Sequence, residues 1–164
     1  MSKHFLVPTL DESTTDKVID QLQLALSALN DWSLTLKHAH WNVAGPNFIA
    51  IHEMLDPQID KVREAADSIG ERIATLGGSP DGRSVRIAQD QAKAQIKWGT
   101  YPIVDRKDAI EHLKVLDEFV GVLIEGFRDA IAKVDPLDIV SSNILQDISQ
   151  QLEFDQWFYR SHLI

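Results

Sequence analysis

The chain has no cysteine, which removes disulfides, thiolate metal sites and a cysteine nucleophile at once. Basic residues are scarce beside acids: 16 Lys and Arg against 25 Asp and Glu give a net charge of −9. Nucleic-acid binding rests on clustered cations that displace counterions. Here the cations are scattered, with Lys3 alone before Lys17 and Arg160 alone in the closing FYRSHLI, so no basic arm is expected at either end. No apolar run approaches the ~20 residues needed to cross a bilayer. The opening MSKHFLVPTLDESTTDK lacks the basic start and long apolar stretch of a secretion signal. The expectation is a soluble, cytoplasmic protein with no membrane partner.

What is present is helical periodicity. The length of 164 residues suits one domain with a real core, and no repeat, low-complexity tract or linker divides it. A single domain over residues 1–164 is expected, with 1–12 as an extended lead-in. Val18, Leu22, Ala25, Leu29, Trp32 and Leu36 mark a first helix from about Ser13 to His40, with Ser13 and Asp16 as its start signal. After the turn VAGPN, a second helix runs from about Asn47 to Leu76 and stops at Gly77-Gly78. A third spans about Asp105 to Val134. Asp135-Pro136 then reads as the N-cap and first-turn proline of a fourth, which reaches Trp157-Phe158. The fold class is therefore all-α: a four-helix bundle whose one long connection, about Ser79 to Val104, carries a short helix near Arg86 to Ile96.

The segment His40 to Glu71 carries the chemistry, in the pattern H-x11-H-x3-D-x10-D-x3-E. His40, His52, Asp56, Asp67 and Glu71 supply two imidazoles and three carboxylates, the donor types that hold iron, manganese or zinc. His52/Asp56 and Asp67/Glu71 are each one helical turn apart, so each pair projects from one face. The two pairs are offset by 15 residues, roughly 22 Å along a helix, and cannot meet within one straight helix. Either the pattern is surface charge, or two chains assemble the site.

Bland readings compete. A lone helical carboxylate is usually solvated surface, and Glu53, Asp60 and Glu64 are read so. Asp56-Pro57 also matches an N-cap with a first-turn proline, which would restart the helix and turn Asp56 to the backbone. Against that, the apolar stripe keeps its phase across Pro57. With His52 at zero and about 100° per residue, Asp56, Asp67 and Glu71 fall near roughly 40°, 60° and 100°, beside a stripe centred near about −60°. Two copies of this helix packed antiparallel about a two-fold axis near Lys61-Val62 would set His52/Asp56 against the partner's matching Asp67/Glu71, giving two sites per dimer. None of the eight glutamates has a histidine three residues later, so an in-bundle di-iron centre is not expected.

In this order the residues resemble the Dps-type mini-ferritins, the DNA-binding proteins from starved cells. His40-Trp41-Asn42-Val43-Ala44-Gly45, continuing through Asn47-Phe48-Ile49 to His52-Glu53-Met54-Leu55-Asp56, matches one family signature. Asp67-Ser68-Ile69-Gly70-Glu71-Arg72, leading to Leu76-Gly77-Gly78, matches a second, with Gly70 where alanine is usual. The resemblance implies a ferritin-like bundle and a hollow dodecamer that stores iron as mineral. It implies ferroxidase sites at two-fold interfaces, with His40, His52 and Asp56 from one subunit and Asp67 and Glu71 from its partner. Iron(II) would be oxidised there by hydrogen peroxide or oxygen. Trp41 resembles the family aromatic beside the site, which the resemblance implies can quench a stray oxidising equivalent, with packing at a helix end as its plain alternative. Asp135 and Asp138 stand where a three-fold pore would open, with helix capping as their plain role. DNA binding is not carried over, because twelve chains at −9 sum to about −108. Two rivals remain: a metal-dependent amide hydrolase, for example of N-acyl amino acids, using the same five residues, and a metal-free structural bundle.

Overall fold

The structure is a computed structural model that describes residues 7–92 and 101–164. Five helices follow in chain order: α1 (Glu12–Asn42), α2 (Phe48–Thr75), α3 (Ser84–Ala92), α4 (Ala109–Val134) and α5 (Ile139–Ser161). Two short strands, β1 (Val43–Ala44) and β2 (Lys107–Asp108), join α1 to α4. α1 packs on α2 and α4 on α5, while α1–α4 and α2–α5 contacts close the bundle. The stripes expected from periodicity form the core, with Leu22, Leu29, Leu55, Ile69, Leu113 and Leu152 among its buried members. Each such side chain contributes roughly 1.5–3 kcal/mol relative to exposure.

The direction of the helices follows from the strands. β1 leaves α1 and pairs in parallel with β2, which leads into α4, with Val43 opposite Lys107. The end of α1 and the starts of α2 and α4 thus lie at one end of the bundle, and α2 and α4 run parallel. The connection between them must travel back along the bundle, about 40 Å for a helix of α2's length. It carries α3, which is fastened to α1 by Ser27 Oγ donating to Asp90 Oδ2 at 2.7 Å and by Gln23 bonding to the backbone of Asp81. The short helix expected at 86–96 starts earlier, at Ser84, and residues 93–96 fall outside the described residues.

Three boundaries move for identifiable reasons. α1 begins at Glu12 because Asp11, not Ser13, is the cap: its carboxylate accepts from Thr14 N at 2.7 Å. α4 begins at Ala109 because Asp108 caps it after the β2 pairing. α5 begins at Ile139, and its cap is Asp138, whose carboxylate accepts from Val140 N and Ser141 N. Asp135 instead closes α4, and Leu137 N and Asp138 N turn back to Val134 O. Of the N-terminal lead-in, residues 1–6 lie outside the described residues, and Val7 to Leu10 form a turn.

α2 is continuous through Pro57. Proline removes one backbone donor and normally kinks or breaks a helix. Here the apolar stripe anchors both sides of it through Leu55 and Ile59, and Tyr159 of α5 donates to Gln58 Oε1 at 2.8 Å inside the core. Among the described residues, no helix is long and apolar enough to cross a membrane.

Candidate metal centre

Where α1 ends and α2 begins, the chain folds back tightly and brings His40 and His52 face to face. Their rings stack with centroids 3.7 Å apart, and Phe48 covers His52 at 4.9 Å. Each histidine is fixed by the other's backbone: His40 Nδ1 lies 3.0 Å from His52 O, and His52 Nδ1 lies 2.9 Å from His40 O. A carbonyl only accepts, so both Nδ1 atoms carry hydrogen, and the neutral form of each ring has its Nε2 lone pair available. Backbone carbonyls that set the tautomer and orientation of imidazoles in this way are a usual support of metal-ligating histidines.

Asp56 joins this end. Its carboxylate stands 3.4 Å from His40 Nδ1 and 2.7 Å from Lys37 Nζ, so it does not serve as a helix cap. The Lys37 hydrogen bond is the main cause holding its carboxyl below the usual value; burial, the next largest, opposes it, and the fields of His40, Lys37 and His52 add to the lowering.

Asp67 and Glu71 lie further along the same unbroken helix, exposed and facing an open groove of ≈ 560 Å³ bordered by Leu26 and Asn30 of α1. They remain apart from His52 and Asp56, by about 22 Å from the helical rise. Among the described residues, neither carboxylate has a hydrogen-bond or ion-pair partner. Nor do any three His, Asp or Glu side chains converge on one point as a metal cage. Gly70, between them, has open space where a Cβ would stand, so its departure from alanine is not dictated by crowding.

The two pore candidates are engaged within the chain. Asp138 is buried, caps α5, pairs with Arg72 Nη2 at 2.7 Å and accepts from Ser141 Oγ. Burial would raise its pKa, but the Ser141 and Arg72 hydrogen bonds outweigh that and hold it low. Asp135 accepts from Ser142 Oγ at 2.8 Å. Trp41 is exposed at the end of α1.

The ferritin-like domain family matches residues 19–164. The chain is 46% identical over 159 residues to the DNA protection during starvation protein of Mycolicibacterium smegmatis, spanning 97% of this chain and 84% of that one. The chain belongs to the ferritin-like Dps family. Its fold matches the Mycobacterium smegmatis Dps structure with a TM-score of 0.92 at 45% identity, over 99% of this chain and 89% of that one. DpsA14 from Streptomyces coelicolor gives 0.91 at 43% identity, over 99% and 94%. The Dps from Microbacterium arborescens in its high iron form gives 0.86 at 26%, over 97% and 99%. Within this Dps fold the sequence did not announce Lys37, the cover of Phe48 on His52 or the pairing of Arg72 with Asp138, all of which support the candidate residues. Lys37 was discoverable: it lies one helical turn before Trp41, on the helix that delivers His40 to Asp56.

Proposed function

We propose that this Dps-family chain oxidises Fe(II) at sites shared between two copies and stores the ferric product in a dodecameric cage in the cytoplasm. His40, His52 and Asp56 come from one copy, and Asp67 and Glu71 from its two-fold partner. The observation that carries the reading is the reciprocal pairing of the histidines, each held as an Nδ1–H tautomer with Nε2 free. The spacing supports the shared site. Positions 52 and 71, and positions 56 and 67, have the same midpoint between Lys61 and Val62, so one antiparallel crossing of two α2 helices serves both pairings.

Imidazole and carboxylate donors suit Fe(II), and the absence of thiolate favours release of Fe(III) to mineral. Two Fe(II) and one hydrogen peroxide, with two protons, yield two Fe(III) and two waters; oxygen is the other co-substrate. Protection then comes from removing iron and peroxide together. With −9 per chain, about −108 per dodecamer, coating of DNA is disfavoured.

The test is anaerobic Fe(II) loading followed by stopped-flow oxidation with peroxide or oxygen, in wild type and His52→Ala. The reading expects a large loss of rate in the variant. Equal rates would remove the site assignment.

A further inference from the structure

Glu71 stands near the end of α2, and the residue beside it, Arg72, has no part in the proposed iron chemistry. Arg72 turns inward. Its side chain is only 12% exposed, with Nη2 donating to Asp138 Oδ2 at 2.7 Å and Nε donating to Ser141 Oγ at 2.9 Å. Both acceptors stand at the start of α5 and are buried. They are fixed in their turn: Asp138 caps α5 by accepting from Val140 N and Ser141 N, and Ser141 Oγ donates to Asp138. One guanidinium thus bolts the end of α2 to the cap of α5.

This polar fork adds what the apolar contacts of the same turn lack. Ile69, Ile73 and Leu76 are fully buried and seat the helix on the core. Apolar burial is non-directional, so it holds the depth of a helix more firmly than its rotation. A guanidinium presents its donors in a rigid planar fork, and bonds to two separate acceptors fix rotation and register together. Rotation matters because the exposed Glu71 carboxylate has no tie of its own within the chain. Where it reaches is set by the backbone that carries it. That backbone is soft on both sides. Gly70, just before it, has nothing within 4 Å of the place a Cβ would take, and glycine is the weakest helix former after proline. Four residues later, at Thr75, the helix ends, and helix ends fray.

We propose that Arg72 is a positioning residue, clamping the last turn of α2 in the rotation at which Glu71 reaches a metal ion shared with a second copy of the chain. The proposal rests on the shared-site reading above. It gives the buried Asp138 carboxylate a task as the anchor of this clamp. Removing a group that orients a metal ligand typically costs about 10- to 100-fold in metal affinity. Arg72 acts on Glu71 through the backbone and not by a direct bond, so the low end, about 10-fold, is expected.

The experiment is anaerobic titration of the assembled protein with Co(II), read by calorimetry for affinity and by visible absorption for the geometry around the ion. It is run well below the unfolding temperature, with assembly checked by sedimentation. Arg72→Met should bind Co(II) about 10-fold more weakly and with altered absorption bands. Arg72→Lys keeps a charge for Asp138 but loses the fork, so it should recover much of the stability in urea and little of the affinity. Ser141→Ala keeps the ion pair and should weaken Co(II) binding in the same direction by a smaller factor; it decides the matter if Arg72→Met does not assemble. Leu152→Ala supplies the baseline, a core truncation about 20 Å along α5 from the cap. It should lower stability and leave Co(II) affinity and bands unchanged.

Unchanged affinity and bands in Arg72→Met and Ser141→Ala would overturn the clamp. So would an equal loss in Leu152→Ala, which would mean that lowered stability alone is being read. Full recovery of affinity in Arg72→Lys would overturn it too, since charge without the fork would then suffice. Failure of the shared-site reading shows separately, as Co(II) binding that is equal in wild type and His52→Ala; that result removes the clamp with it.

Discussion

Lys37 holds the carboxylate that a metal ion would need. Its ammonium lies 2.7 Å from Asp56 Oδ1, with the two side chains 27% and 53% exposed. Pairs this exposed contribute roughly 0.2–1 kcal/mol. An ion that recruits Asp56 must first displace the ammonium, so the pair weakens metal binding by roughly that amount, about 1.4- to 5-fold at room temperature. Lys37→Met keeps the aliphatic stem and removes the charge. Anaerobic calorimetric titration of the assembled protein with Co(II), a redox-stable stand-in for Fe(II), should then show affinity tightened by about that factor. The difference should shrink at high salt, where exposed charges are screened. The same substitution in a His52→Ala background should have little effect, since the site is already broken. Unchanged or weaker Co(II) binding in Lys37→Met alone would refute the competition between ammonium and metal.

Other consequences can be checked on stability and binding. Arg72→Ala leaves the buried Asp138 carboxylate without its cation; loss of one partner of a buried pair costs about 3–5 kcal/mol, reduced here by the remaining Ser141 bonds, and urea unfolding should show a clear loss. Asp155 is buried with Oδ2 unpartnered, and burial lifts its pKa to about 6, from 3.8, against the Gln151 hydrogen bond. Between those values the folded chain keeps a proton that the unfolded chain has lost, so stability falls as pH rises from about 4 to 6. Asp155→Asn should therefore stabilise at pH 7, by about 3 kcal/mol, and not at pH 4. An equal gain at both pH values would contradict that linkage. In a gel-shift assay at low salt and neutral pH, the oligomer should leave plasmid DNA unshifted; retention at stoichiometric oligomer would overturn the charge argument.

How much of this was legible in the sequence depends on the kind of interaction. The apolar stripes gave the four long helices, because burial of residues such as Leu22, Leu55, Leu113 and Leu152 follows helical period directly. The phase of the stripe across Pro57 pointed to one helix with a local kink, and α2 is continuous there. Helix ends were less legible, since several acids compete to cap each one. Asp11 displaced Ser13, and Asp138 displaced Asp135, for reasons set by local backbone geometry rather than residue type. Spacing singled out the candidate site residues, but not what orients them. The carbonyl-to-imidazole bonds between His40 and His52 depend on a tight turn between α1 and α2. The Tyr101–His112 hydrogen bond depends on where the crossover returns. Neither is written in a periodicity.

The central claim, that each site draws on two chains, has a direct test by complementation. His52→Ala and Glu71→Ala are each expected to lose Fe(II) oxidation. Co-expressed in equal amounts, they form mixed assemblies in which a site is intact when an unaltered His52 of one copy meets an unaltered Glu71 of the other. Random pairing makes that about one site in four, so about a quarter of the wild-type rate should return. No recovery in mixed assemblies whose composition is verified by mass spectrometry would contradict a site shared between chains.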